Sequence, residues 1–279
     1  MVPERQPLLD PALAPIAPGP QLRLARGHLQ VDIAPEAGGR IAQITHRGMD
    51  QLVDHRQAGG AMIGWGCYPM VPWAGRVRRG RFAFDGLQHQ LPLNLGGHAI
   101  HGVGFAMAWR VESHASHRIE LSLALPQDER WPFGGRALQR IELGEDSLQL
   151  TLSVQAGSLP MPAVIGWHPW FRKPGRLRFS PSSMYPRDVD GVAILPTRTP
   201  SAGPWDDCFV NRQPVALESE GQTLTLRSDC THWVVYDETP YATCVEPQSG
   251  PPDAFNIDPF VLAPGAALVR DFHMAWADR

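Results

Sequence analysis

The chain has 279 residues, 43% hydrophobic and 19% charged, with 28 acidic residues against 25 Lys and Arg for a net charge of -3. That length can bury a sizeable core, and the mild balance, with no long run of one sign, argues against the clustered basic footprint of a nucleic-acid binder. No apolar stretch is long enough to span a bilayer as a helix, so no membrane partner is expected.

The N-terminus MVPERQPLLDPALAPIAPGP has no charged start followed by an apolar run, so it is not expected to be a signal peptide. Residues 1–20 are rich in Pro and Ala without periodicity and read as an arm lying over the domain. From residue 21 the period is two almost everywhere. Leu29-Gln30-Val31-Asp32-Ile33, Ile119-Glu120-Leu121-Ser122-Leu123, the run from Leu148 to Gln155, and Thr223-Leu224-Thr225-Leu226 each alternate apolar and polar residues. A strand with one buried face requires that alternation, because successive side chains point to opposite sides. Turn chemistry separates the runs at Pro35 to Gly39, Asp85-Gly86, Gly144 to Asp146 and Glu220-Gly221. Helical signals are scarce and composition shows no breakpoint. The expectation is an all-β chain, with residues 21–279 forming one large antiparallel β-sandwich or barrel. Cys67, Cys208, Cys230 and Cys244 show no CxxC spacing and read as reduced thiols of a cytoplasmic protein.

Clusters of Gly, Pro, His and aromatic residues interrupt this pattern. They are Gly66 to Val77, Asn94 to Gly102, Gly166 to Phe171 and Thr243 to Asn256, with Trp205-Asp206-Asp207-Cys208-Phe209 between the last two. Taken singly, each has a plain structural reading. His168 before Pro169 could be a packing histidine, Arg76 a salt-bridge partner, Asp206-Asp207 a turn, and Glu246 beside Pro247 an exposed acid at the end of a strand. His98 and His101 are spaced as a helical metal pair, but the glycines around them argue against a helix, and no third ligand clusters with them. No metal or other cofactor is therefore expected. Arg76, Arg78, Arg79 and Arg81 would alternate faces on a strand. Trp73, Trp167, Trp170 and Trp205 stand beside polar candidates, and aromatic faces pack on the C–H faces of sugars.

Together the clusters resemble the aldose 1-epimerase (mutarotase) family. Pro69-Met70-Val71-Pro72-Trp73-Ala74-Gly75-Arg76-Val77 with Gly80-Arg81-Phe82 is similar to its FPMVPYSNRI…GRF segment, and Ile100-His101-Gly102 to its (L/I)HG motif. Trp131-Pro132-Phe133, Met161-Pro162 and Gly166-Trp167-His168-Pro169-Trp170-Phe171 resemble its WPF…MP…GxHPYF series. Val245 to Asn256 resembles VEPMTAPPDAFN. The resemblance implies a galactose mutarotase-like β-supersandwich and cofactor-free interconversion of the α and β anomers of an aldohexose. It places Glu246 on the general base and His168 on the general acid. Arg76 and His101 fall on residues that hold the sugar, and Asp206, or Asp207 one residue on, falls on the acid that binds a hydroxyl. Trp170, Trp73 and Asn94 complete the expected sugar-binding set. Gly75 departs from the family's usual Asn and removes an amide; Trp170 stands for the commoner Tyr, and Gln248-Ser249 for Met-Thr.

A glutamate working as a base near neutral pH needs a raised pKa, so Glu246 is expected in a desolvated site beside aromatic residues. Other readings stay open on the same residues. One is a glycosidase using Glu246 with Asp206 or Asp207. Another is a non-catalytic sugar-binding or regulatory protein, and a third an epimerase of a phosphorylated hexose.

Overall fold

The alternating runs are strands. A computed structural model describes residues 9–278, so the first eight residues of the expected arm lie outside the described residues. Two large antiparallel sheets carry the chain. The first has ten strands, in the order Leu22–Arg26, Leu29–Ala34, Arg40–His46, Cys67–Met70, Gly166–Arg172, Ala242–Gln248, His232–Tyr236, Asp206–Val210 and Ser183–Met184, with Met49–Asp50 beside Arg40–His46. The second runs Arg110–Ala115, Arg118–Ala124, Arg136–Leu143, Ser147–Gln155, Ala267–Asp278, Gln222–Ser228, Val215–Ser219, Arg176–Arg178. Ala254–Ile257 is the only α-helical turn among the described residues, and no helix is long and apolar enough to cross a membrane. The four cysteines are buried and unpaired.

One apolar cluster joins the two sheets. Leu148, Leu150, Leu152 and Val154 give one face of Ser147–Gln155 to it. Each such burial contributes about 1.5–3 kcal/mol relative to exposure. From the ten-stranded sheet, Trp167 packs 5.7 Å from Phe272, and its indole donates to Gln139 Oε1 at 3.2 Å. The neighbours of Trp167 along the strand, Gly166 and His168, point to the opposite face. That face is also covered, so GWHPWFR is buried nearly throughout and shows no apolar–polar alternation.

Two expectations need correction. Arg76 to Arg81 is not a continuous strand: Arg76–Val77 is followed by a turn at Arg78–Gly80, in which Arg79 has φ 51°, before Arg81–Phe84. Glu246 beside Pro247 is not an exposed acid at the end of a strand: it is buried, and its strand runs on to Gln248. Proline is tolerated there because the ladder is interrupted. Gly166 pairs with Gln248 and Trp170 with Cys244, and between these pairs stand Pro169 and Pro247, neither of which has an N–H to give.

Candidate active site

The ten-stranded sheet brings distant segments into register. Tyr68 pairs with His168, Glu246 with Val234, and Val234 with Cys208, while His168 and Glu246 meet through their side chains. Tyr68, His168, Glu246, Val234 and Cys208 thus form one row across the sheet. The next row on the same face reads Trp170, Cys244, Tyr236, Asp206. Over these rows lies a cavity of about 330 Å³, lined by His168, Trp170, Asp206, Glu246 and Gln248, with Arg76 from the short strand Arg76–Val77 and His101, just after the strand Ala99–Ile100 paired with it, also on its wall.

His168 Nε2 lies 3.2 Å from Glu246 Oε1. The imidazole is stacked between Tyr68, at 4.8 Å, and Trp170, at 5.3 Å. The Tyr68 hydroxyl and the Trp170 indole both donate to the carbonyl of Ile63, at 3.1 and 2.7 Å, which fixes the two rings. Behind Tyr68, buried Arg40 donates to the carbonyls of Ala37, Met62, Trp65 and Phe105. Glu246 is 2% exposed. Its Oε2 accepts the Gln248 amide at 3.1 Å, a contact that the two-residue spacing on one strand face makes available.

Burial opposes charge on both partners. It raises the Glu246 carboxyl well above its ordinary value, nearby Asp206 adds to this, and Gln248 and Arg76 oppose it. Burial lowers His168, and the field of Arg40 lowers it further. The expected desolvation of Glu246 beside aromatic rings is therefore present.

His101 is held by backbone. Its N–H donates to the carbonyl of Gly75 at 3.1 Å, and the Gly75 N–H donates to its Nδ1 at 3.3 Å. A neutral ring so held carries its proton on Nε2. The departure at Gly75 has a steric reason: φ is +71°, and a Cβ would lie 2.9 Å from Cα of Pro252. Ligand atoms of His101, His168 and Glu246 lie within 4.8 Å of one another, a grouping that could hold a cation. A metal requires a bare ring nitrogen, and the Gly75 bond favours the tautomer in which Nε2 is protonated.

Asp206 lines the cavity, and Asp207, the next residue on the strand, points away from it. Arg187 bridges the two, with Nη1 2.6 Å from Asp206 Oδ2 and Nε 3.2 Å from Asp207 Oδ1. Burial raises the Asp206 carboxyl, while Arg76 and Arg187 pull it down.

The structure does not place Asp207, Trp73 or Asn94 on this cavity. The Asn94 side chain is occupied by Ile100, accepting its N–H at 2.7 Å and donating to its carbonyl at 3.1 Å. It fixes the strand Ala99–Ile100 that leads into His101. Trp73 is 3% exposed, packs 5.8 Å from Trp131, and lines a separate, more apolar cavity of about 220 Å³ that Asn94 shares. Sequence reasoning missed Tyr68, Ile63, Gln248 and Arg187. Of these, only Gln248 carried a signal, its two-residue offset from Glu246.

The fold is that of the galactose mutarotase-like proteins. A galactose mutarotase-like protein from Clostridium acetobutylicum superposes with a TM-score of 0.83 at 16% identity, covering 95% of this chain and 97% of that one. Galactose 1-epimerase from Lactobacillus acidophilus gives 0.79 at 18%, covering 92% and 94%. At these identities the likeness shows the fold. The chain belongs to the aldose 1-epimerase family, whose profile matches residues 20–273. It is also 32% identical over 152 residues to the uncharacterized protein YphB of Escherichia coli, a match spanning 53% of this chain and 50% of that protein.

Proposed function

We propose that this protein is an aldose 1-epimerase, a mutarotase interconverting the α and β anomers of an aldose, with residues 21–279 acting as one domain. The observation that carries the reading is the His168–Glu246 contact of 3.2 Å on the cavity floor. Mutarotation needs an acid and a base at two oxygens bonded to the same carbon, each able to work in either direction. In ring opening, Glu246 as carboxylate takes the proton of the C1 hydroxyl while protonated His168 gives its proton to the ring oxygen. The C1–O5 bond breaks and the open-chain aldehyde forms. Both groups are then uncharged, the state that burial favours. Rotation about C1–C2 presents the other face of the carbonyl, and reclosure returns both protons. No redox partner enters this exchange.

The remaining lining residues suit a sugar. Arg76 and Asp206 offer a donor and an acceptor to ring hydroxyls, His101 offers its Nε2–H, and Trp170 offers an aromatic surface. A neutral sugar is favoured over a phosphorylated one by the disposition of the arginines. Arg76 lines the cavity, whereas Arg78 is paired with Asp188, Asp190 and Asp253, Arg79 with Asp190, and Arg81 bonds Gln90. The test is polarimetric relaxation of freshly dissolved α-galactose or α-glucose. Catalysed relaxation by the wild type, lost in Glu246→Gln and His168→Asn, supports the reading. Near-wild-type rates in both variants, or sugar binding with no acceleration by the wild type, would overturn it.

A further inference from the structure

The cavity is not polar all round. Leu13, Ile63 and Leu95 line it beside Ile100. Backbone bonds bring these segments together: the Ala12 N–H donates to the carbonyl of Asn94 at 3.0 Å, and the Ile63 N–H to the carbonyl of Ala12 at 3.1 Å. Asp10 accepts the Gly96 N–H at 2.9 Å and ties down the far end of the same loop. The arm thus contributes a side chain to the wall of the site.

The side of the reacting pair on which this wall stands is set by Ile63. Its carbonyl takes the donors of Tyr68 and Trp170, the rings that sandwich His168. The aliphatic wall is therefore on the His168 side of Glu246. Asp206 is on the other side, two strands beyond Glu246, or about 10 Å at ordinary strand spacing.

A pyranose bound over this row has a direction. C1 is bonded to the ring oxygen on one side and to C2 on the other, and C5 with its substituent follows the ring oxygen. On the epimerase reading, with the C1 hydroxyl at Glu246 and the ring oxygen at His168, C2 and C3 turn toward Asp206. The C5 substituent then turns toward Leu13, Ile63 and Leu95. We infer that the enzyme selects aldoses whose C5 carries a methyl group, the 6-deoxyhexoses, over those carrying a hydroxymethyl or charged group.

The reason is desolvation. Leu and Ile side chains offer nothing to a hydroxyl on C6, and the Ile63 carbonyl is already engaged by two donors. A hydroxyl pressed against this wall loses water without a replacement partner, and a phosphate or carboxylate loses far more. A methyl group gains by burial there.

The inference rests on the proposed activity, and matched sugars separate the two. Anomer exchange is measured by NMR for galactose against 6-deoxygalactose, and for glucose against 6-deoxyglucose, with glucose 6-phosphate as a charged control. The expected kcat/KM is about tenfold higher for each 6-deoxy sugar, the scale on which apolar pockets discriminate, and lower still for the phosphate than for glucose. Leu13→Ser, on the partly exposed arm, and Leu95→Ser are each expected to narrow the ratio to about threefold or less. A ratio at or below one in both pairs, or a ratio unmoved in both variants, overturns the inference and leaves the epimerase activity standing. Relaxation of every sugar at its spontaneous rate overturns both.

Discussion

His168 Nε2 and Glu246 Oε1 lie 3.2 Å apart in a site where burial shifts the two groups in opposite directions, the imidazole down and the carboxyl up. On the proposed reading, ring opening needs Glu246 as carboxylate and His168 protonated, so the active pair carries one proton between them. With the carboxyl raised and the imidazole lowered, that one-proton state is lost as pH rises through the carboxyl pKa, and the alkaline limb of kcat/KM is expected above the ordinary glutamate value near 4.3. A pH–rate profile by polarimetry, corrected for the spontaneous reaction, checks this. An alkaline limb inside the ordinary carboxylate range would show that Glu246 does not control the rate.

The same shift predicts a stability effect. A carboxyl whose folded-state pKa is raised contributes stability that is fully present below its unfolded value and lost as pH rises through the folded value. Wild type should therefore weaken relative to Glu246→Gln as pH climbs from about 4, with the difference levelling off above the raised pKa. The expected signature is a Tm advantage of Glu246→Gln amounting to a few degrees at neutral pH, smaller near pH 4. Thermal unfolding at several pH values measures it, and an advantage that shrinks with rising pH contradicts the burial argument.

Acid and base that exchange protons with one substrate act as a unit. Glu246→Gln and His168→Asn are each expected to lower kcat by about 10²–10⁴-fold. The double variant should be about as slow as the worse single, because losing either partner already disables the exchange. Multiplying effects in this double-mutant cycle would assign the two residues independent roles.

The sandwich was legible in the sequence because period two is its direct signature, as in Leu148 to Gln155. The meeting of His168 and Glu246 was legible only through the order of the motifs, since the pairing that joins their strands leaves no local trace. Choosing between Asp206 and Asp207 requires the register with Tyr236 and Val235, which alternation alone does not supply. Trp73 and Asn94 stand among glycines and prolines like true cavity residues, and only their contacts with Trp131 and Ile100 reveal that they support the site from outside it. A proline ends a strand only where its missing N–H is needed for the ladder, so Pro247 does not reveal in the sequence that the strand runs on to Gln248.

Arg187 had no sequence signal at all, being an arginine outside any strand, yet it holds Asp206 with Nη1 2.6 Å from Oδ2. Asp206 is pushed up by burial and held down by Arg76 and Arg187. Removing Arg187 takes away one of the two positive charges that hold the carboxyl down and frees its rotamer, so it becomes a less well aimed acceptor for a sugar hydroxyl. A charge-assisted bond of this kind is worth roughly 1.5–3 kcal/mol, so Arg187→Ala should raise KM about tenfold or more. The value of kcat should stay within about twofold, since Arg187 does not line the cavity and the His168–Glu246 pair is untouched. Losing Arg187 also moves the ionisation of the carboxyl upward, so on acidification KM of Arg187→Ala should worsen at a higher pH than that of wild type. Arg187→Lys, which keeps the charge but not the fork that spans Asp206 and Asp207, should recover part of the affinity. Initial-rate kinetics across pH separate these effects: a fall in kcat at constant KM would place Arg187 in the chemical step, and a pH-independent KM would reduce it to a structural tie.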